Sequence, residues 1–244
     1  MDLMILGWIA GSLFLASLLA LLGRKYGSWI TISVVASLAV ISNVLASAKI
    51  VEFPFGLHSP AGILAYSILF FLIDTLNEFY GKKEARKAMI AGILGQVVTV
   101  PLIWLVLQWP AAAIMTPEKV TAANLALGLS PQLFVASIIA FAVASNLNIW
   151  LYAKLKNRTH GGYIWLRNNA STIVAVFVSN LIFIPLGYWG AGLPITKMIQ
   201  GHSLVQLLIA AIDTIFIYFL IYTMKKIKPN YPLCDRKGGK YGHK

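Results

Sequence analysis

Seven stretches of about twenty mainly apolar residues divide this chain, and each is long enough to cross a membrane as a helix. At about 1.5 Å per helical residue, twenty residues span the roughly 30 Å hydrocarbon core of a bilayer. With 59% hydrophobic and only 11% charged residues, a soluble domain of 244 residues could not bury this much apolar surface. The sequence therefore predicts an all-α, polytopic membrane protein. The seven predicted helices cover residues 3–22, 28–48, 61–80, 88–109, 131–153, 171–189 and 203–224.

The basic residues predict how the chain is oriented. In this arrangement 17 of the 20 Lys and Arg residues fall on one side of the membrane, which leaves Lys49, Lys119 and Lys197 on the other. Because basic loops stay in the cytoplasm, we expect an outside N-terminus and a cytoplasmic C-terminus in a multi-pass plasma-membrane protein. This topology accounts for the net charge of +12, so the charge does not support a nucleic-acid partner. The lipid bilayer is the expected environment.

Three parts are predicted along the chain. Residues 1–26 form a peripheral first helix, residues 27–228 a six-helix core, and residues 229–244 a basic cytoplasmic tail that lacks periodicity and is expected to be disordered. In the outer loop between predicted helices four and five, Thr116 and Pro117 have the character of a helix cap and a first-turn proline. We therefore expect a short helix at the membrane surface there.

A short repeat suggests internal symmetry within the core. The hexapeptide AVISNV, which contains Asn43, resembles AVASNL, which contains Asn146, and the two predicted helices cross the membrane in opposite directions. Residues 27–109 and 130–226 are therefore candidate inverted repeats. In secondary transporters built this way, the substrate site lies at the repeat interface.

Two acids lie close together within the third predicted helix. Asp74 and Glu78 are four residues apart, and Asn77 lies on the same flank. A charged side chain within a membrane helix costs roughly 2.5–3.5 kcal/mol on insertion scales, so such residues usually face a protein interior and carry function. Repulsion between two buried carboxylates favours binding a proton, as a proton carrier requires. The alternative for Glu78 is anchoring of the helix end through Lys82 or Arg86.

A third acid and several amides add polar groups to other predicted helices. Asp213 has no basic residue within two turns, so it needs a partner on another helix or a proton. Asn43, Asn146, Asn148 and Asn180 lie on helices two, five and six. Each of these residues could simply form an interhelical hydrogen bond, while together they could line a chamber for a polar ligand.

Catalytic and metal-binding patterns are not visible in the sequence. It has no Walker A loop, no HExxH helix and no GxSxG elbow, so we expect no enzymatic activity, no catalytic residue and no cofactor. The single cysteine, Cys234, excludes an internal disulfide and a multi-thiolate metal site. The four histidines are expected in solvated loops or the tail, at positions 58, 160, 202 and 243.

The segment DTLNEFYGKKEAR at residues 74–86 resembles the signature of the queuosine precursor transporter family, also called the vitamin uptake transporter family. The resemblance implies a multi-pass inner-membrane importer of deazaguanine precursors of modified tRNA bases. It also implies a six-helix core similar to the substrate-binding subunits of energy-coupling-factor transporters. Further matching positions are 42–43, 49, 55–56, 59–62, 136–137, 145, 165–169, 171–172 and 211–214.

The chain departs from the family pattern at four positions. On predicted helix five, Asn146 replaces a Gln and Ile149 stands where an Asp is expected. On predicted helix six, Val176 and Ser179 occupy positions that are polar in the pattern as Gln and Asp. Another small planar metabolite therefore stays open as the substrate.

Two mechanisms stay open for such a transporter. It is either a secondary importer that couples proton entry to uptake of a planar base, or a substrate-binding subunit that depends on separate ATPases. The chain has no visible nucleotide site, but a partner could supply one, so the sequence does not separate the two. A homodimer also stays open.

The expected site residues fall into two groups. Arg167 opens predicted helix six, where it can reach the acids at the end of helix three from outside the ligand shell. The expected gating or anchoring residues are Lys49, Lys82, Arg86 and Arg167. The expected substrate-binding residues are Asn43, Phe70, Asp74, Asn77, Glu78, Asn146, Asn180 and Asp213.

Overall fold

The computed structural model describes residues 3–53, 56–128, 130–160 and 162–227. Within these ranges the chain forms eight α-helices and one two-stranded antiparallel sheet. The elements in chain order are α1 (Leu3–Tyr26), α2 (Trp29–Ala48), β1 (Ile50–Phe53), β2 (Leu57–Pro60), α3 (Ile63–Phe79), α4 (Lys82–Gln108), α5 (Pro117–Gly128), α6 (Ser130–Arg158), α7 (Ile164–Gly187) and α8 (Ile195–Lys226).

Six helical stretches in the described part of the chain are long and apolar enough to cross a membrane. The predicted third span is also helical, as α3, but it has only 17 residues. The observed α4, α6, α7 and α8 extend beyond the apolar windows by about one to two turns. Their outer turns are polar, because a helix that leaves the hydrocarbon can continue in the interfacial region. A multi-pass helical membrane protein is therefore confirmed, while a count of seven spans stays a prediction.

Helix α3 occupies the centre of the bundle. It contacts α1, α2, α4, α6 and α8. Thirteen of its residues are buried, and Leu69, Phe71 and Leu76 have no exposed surface. Apolar residues occur on every side of α3, and a helix with this pattern is usually surrounded by other parts of the protein. The polar residues of α3 are consequently held inside the protein.

The loop between α2 and α3 corrects the all-α expectation. It forms a β-hairpin in which Glu52 pairs with His58, and Gly56 turns the chain with a φ of 65°. The β-branched residues Ile50 and Val51 favour the extended conformation of the first strand. An isolated hairpin is marginal in water, and this one packs against α8. The apolar stretches alone predict a loop for this segment.

Glycines permit two close approaches near the hairpin. A Cβ atom on Gly62 would lie 2.0 Å from the carbonyl oxygen of Ser42, so α2 and the start of α3 touch through their backbones. A Cβ atom on Gly201 would lie 2.5 Å from the carbonyl oxygen of His58, so α8 meets the hairpin in the same way. Both contacts position polar residues described below.

The expected short helix before residue 128 is confirmed as α5, which has no buried residue. Helix α1 packs against α2, α3 and α8. The predicted tail, residues 229–244, lies outside the described residues.

Candidate functional site

Asp74 is held by two other helices. Its Oδ1 accepts a 2.6 Å hydrogen bond from Nδ2 of Asn148 on α6, and its Oδ2 accepts a 3.1 Å bond from the hydroxyl of Thr172 on α7. The residue is only 1% exposed. Burying a carboxylate is costly unless it receives hydrogen bonds, and both oxygens receive one here. Asp74 therefore joins α3, α6 and α7.

Glu78 lies one turn further along α3 and binds two basic residues. Its Oε2 accepts a 2.8 Å bond from Nη2 of Arg167 and a 3.0 Å bond from the Tyr152 hydroxyl. Nζ of Lys156 lies 3.5 Å from the same oxygen and donates to the Glu78 carbonyl at 2.6 Å. The expected contact between Arg167 and the end of this helix is thus confirmed.

The alternative partners for Glu78, Lys82 and Arg86, do not form its ion pairs in the described part of the chain. Helix α3 ends at Phe79, and Gly81 turns the chain with a φ of 85° before α4 begins. The i, i+4 contact needs one continuous helix, which this turn interrupts. Glu78 therefore pairs with residues that are distant in sequence.

Asp213 has the interhelical partner that the sequence required. Its Oδ1 accepts a 2.9 Å bond from Nδ2 of Asn168 on α7. The next residue, Thr214, accepts a 2.8 Å bond from Asn169. Asp213 is 3% exposed, so it too lies in the protein interior.

Helix α7 supplies a partner to each of the three acids. Arg167 binds Glu78, Asn168 binds Asp213 and Thr172 binds Asp74. The acids come from α3 and α8, so α7 bridges both helices. A shift of α7 along its axis would therefore change all three contacts together.

Helix α6 presents a second polar stripe to α3. Asn148, Tyr152 and Lys156 are four residues apart, so they lie on one face of the helix. They bind Asp74 and Glu78, which have the same spacing on α3. Tyr152 and Lys156 are not among the residues that the sequence predicts for the site. Their i, i+4 spacing from Asn148 was the available signal.

The predicted amides do not meet in one chamber. Asn43 donates 3.1 Å bonds to Gln96 and to Ser137, far along the bundle from Glu78. Asn77 donates to the carbonyl of Ile149 at 3.2 Å, which is an interhelical contact.

Asn146, in contrast, is exposed and bonds to the Ala142 carbonyl of its own helix. Asn146 and Asn148 are two residues apart, which places them on opposite sides of α6. Asn148 is therefore the amide of this helix that faces the interior.

A small central cavity lies between α3, α7 and α8. Its volume is about 10 Å³, which is room for about one water molecule. Two expected substrate-binding residues, Phe70 and Asp213, line it, and Asp74 is one hydrogen bond away through Thr172. The remaining lining residues are Ser67, Thr172, Val176, Gln206 and Ala210.

The expected site residue Asn180 lies beside the central cavity. Its Nδ2 donates 2.9 Å bonds to the hydroxyl of Ser203 and to Oε1 of Gln206. Among the residues that the structure describes, Asn180 Oδ1 and Gln206 Nε2 have no hydrogen-bond partner, although both are buried. Such groups usually find a ligand, water or another polar partner. Gln206 was not singled out from the sequence.

A second cavity, of about 20 Å³, lies next to the β-hairpin. Its walls include Asn43, Tyr66 and His202. His202 is 3% exposed and its Nδ1 lies 2.8 Å from the Ser59 hydroxyl, so the expectation of a solvated histidine is wrong. Helix α8 begins at Ile195, which places position 202 within the helix, facing the hairpin.

An aromatic contact lies where the two cavities approach each other. Tyr66 of the hairpin cavity packs edge to face on Phe70 of the central cavity, with ring centroids 5.1 Å apart. The Tyr66 hydroxyl also lies 3.0 Å from that of Ser179 on α7.

The expected gating residues differ in burial. Arg167 has no exposed surface, Lys82 is half-buried, and Lys49 and Arg86 are exposed. No cluster of three potential metal ligands occurs in the part of the chain that the structure describes.

The outer surface of the bundle carries exposed apolar side chains. Large apolar residues of α4, among them Val98, Leu102 and Trp104, are more than half exposed, while the acids and amides lie inside. This distribution is the reverse of a soluble protein and suits contact with lipid. The fold and its buried polar network therefore define a multi-pass helical membrane protein built around a polar interior.

The comparisons with known proteins identify the family. A family model described as "Putative vitamin uptake transporter" matches residues 60–220. The chain is also similar to a Bacillus subtilis (strain 168) protein named "Probable queuosine precursor transporter", with 29% identity over 195 residues, covering 79% of this chain and 82% of that protein. No solved structure gives a significant match. The chain belongs to the vitamin uptake transporter family and is a transporter rather than an enzyme.

Proposed function

We propose that this protein imports a deazaguanine-type base, a precursor of queuosine or archaeosine, across the plasma membrane. The observation that carries the proposal is the lining of the central cavity, which includes the Asp213 carboxylate, the Gln206 amide and the Phe70 ring. A planar polar base needs these groups: hydrogen-bond partners for its edge and an apolar surface for its ring. Similarity to the Bacillus subtilis protein supports the choice of substrate class.

We further propose a secondary mechanism that couples uptake to proton entry. Asp74, Glu78 and Asp213 are ionisable groups in the interior, and each is bonded to α7. Protonation of an acid weakens its hydrogen bonds from donors, so proton binding could release α7 from α3 or α8. Binding of a proton is thereby coupled to movement of α7.

The proposed orientation places the Glu78 end of α3 at the cytoplasmic side. Seventeen of the twenty basic residues favour that side. The contacts of Glu78 with Arg167 and Lys156 then close the cytoplasmic end of the bundle. Arg167 accordingly acts as a gate or anchor rather than as a ligand.

The alternative mechanism is a substrate-binding subunit of an energy-coupling-factor type transporter. One experiment separates the two: purified protein in liposomes is given radiolabelled 7-deazaguanine, with and without an inward proton gradient. The expected result is that the gradient accelerates uptake and that a protonophore removes this acceleration. Binding of the base without uptake by the protein alone would favour the subunit mechanism, and no binding would contradict the proposed substrate.

A further inference from the structure

A groove opens between helix α1 and the hairpin end of the core. Its walls include Trp8 and Ile9 of α1, Ile63 and Leu64 of α3, and Val205 of α8. Its volume is about 570 Å³, far above that of the central cavity or of the cavity next to the hairpin. Pockets that hold small molecules typically have volumes of several hundred Å³. The groove is therefore large enough for a ligand.

Two charged residues also line this groove. Lys49 directly follows α2, and Glu52 lies in strand β1. Both side chains are exposed, and neither forms an ion pair or a side-chain hydrogen bond with another residue that the structure describes. The groove therefore combines apolar walls with one positive and one negative charge. These features match an amphipathic ligand whose polar group is zwitterionic.

The groove lies at the depth where lipid headgroups meet the hydrocarbon. The hairpin joins the end of α2 to the start of α3, and α2 is long and apolar enough to cross a membrane. Lys49 therefore lies at the membrane surface, while Val205, in the interior of α8, lies deeper. Trp8 lines the same groove, and tryptophan is enriched at the membrane interface. The surroundings of the groove are consequently those of a phospholipid.

We propose that the groove binds one molecule of a zwitterionic phospholipid, phosphatidylethanolamine. The lipid phosphate accepts a hydrogen bond from Nζ of Lys49, and an acyl chain lies along the apolar walls. Glu52 repels a further negative charge, so the ethanolamine headgroup is preferred over an anionic one. The bound lipid contacts α1, the hairpin, α3 and α8 together. It thereby stabilises the packing of α1 against the core.

The test measures lipid binding to the purified full-length protein by native mass spectrometry from detergent. Palmitoyl-oleoyl phosphatidylethanolamine is compared with phosphatidylglycerol and diacylglycerol that carry the same chains. We expect the first to bind at least about fivefold more tightly than diacylglycerol, which lacks the phosphate, and also more tightly than the anionic phosphatidylglycerol. Lys49→Met should remove the preference over diacylglycerol. Lys197→Met, at an exposed position that does not line the groove, should retain it.

A second variant tests the apolar walls. Ala61 lines the groove, and Ala61→Leu fills part of it while the backbone bond from residue 61 to the Lys49 carbonyl is kept. Binding of phosphatidylethanolamine and of diacylglycerol should weaken together, because both need room for their chains. Ala48→Leu, at an exposed position of α2 that does not line the groove, is the control and should bind both lipids as wild type does.

If Lys49→Met prefers phosphatidylethanolamine over diacylglycerol as strongly as wild type does, the phosphate is bound elsewhere and the inference is wrong. Wild-type binding by Ala61→Leu would overturn it equally, since the chains would then lie outside the groove. Tighter binding of phosphatidylglycerol would contradict the zwitterionic headgroup. Thermal melting checks that each variant is folded, and added phosphatidylethanolamine should raise the melting temperature of wild type more than that of Lys49→Met.

Discussion

Arg167 of α7 lies 2.8 Å from Glu78 of α3, between Nη2 and Oε2, and has no exposed surface. The guanidinium also donates to the Gly162 carbonyl at 2.8 Å and lies over the ring of Tyr152. A buried ion pair with several additional hydrogen bonds is specific for one arrangement of its helices. In this protein it ties together α3, α6 and α7 at one end of the bundle.

Removing the arginine should destabilise the fold strongly. In the variant Arg167→Gln, the Glu78 carboxylate loses its closest cationic partner, and breaking a buried pair typically costs about 3–5 kcal/mol. The double variant Arg167→Gln with Glu78→Gln should recover part of the loss, because no carboxylate is left without its guanidinium partner and Lys156 keeps its bond to the carbonyl of residue 78. Thermal unfolding in detergent is the measurement. Arg86→Gln, at an exposed position, is the control, and equal melting of Arg167→Gln and this control would contradict the prediction.

The acids of α3 should be required for uptake. Asp74→Asn and Glu78→Gln preserve side-chain size and remove the charges, so proton binding and the bonds to α7 change while packing is conserved. We expect transport of 7-deazaguanine by either variant to fall at least about tenfold, measured in liposomes. Glu52→Gln, in the hairpin, serves as the control. If both α3 variants fold and transport at the wild-type rate, these acids only anchor the helix.

The orientation of the chain can be tested by cysteine labelling. In a Cys234→Ala background, a cysteine at position 116 should react with a membrane-impermeant thiol reagent in intact cells, because the basic asymmetry places this segment outside. Cys234 of the wild-type chain should react only after the membrane is permeabilised. The opposite pattern would mean that the topology is inverted.

Position 62, where α2 and α3 are in close contact, should tolerate no residue larger than glycine. In Gly62→Ala, the new Cβ would meet the Ser42 carbonyl oxygen at 2.0 Å, so the helices must separate at a cost of about 1–3 kcal/mol. The melting temperature should fall. Gly11→Ala is the matched control, because nothing lies within 4 Å of its Cβ position. A larger loss of stability in the control would contradict the packing described here.

The sequence by itself determined the class of protein and the general location of its polar groups. Apolar stretches of bilayer length predict membrane helices, and the cost of a charge in lipid predicts that Asp74 and Asp213 lie inside the bundle. Both features are local, since they depend only on the composition of one segment. The relation between Asp74 and Glu78 on one helix face was predictable for the same reason.

Tertiary structure decided which groups meet. Asp74 is bonded to residues 74 and 98 positions away, and no local period encodes such contacts. The sequence also could not tell Asn148 from Asn146, because the side of α6 that faces α3 depends on helix packing. The turn at Gly81 separates Glu78 from Lys82 and Arg86, so Arg167 and Lys156 bind it instead. That Gln206 and Asp213 line one cavity likewise follows only from the way in which α3, α7 and α8 pack together.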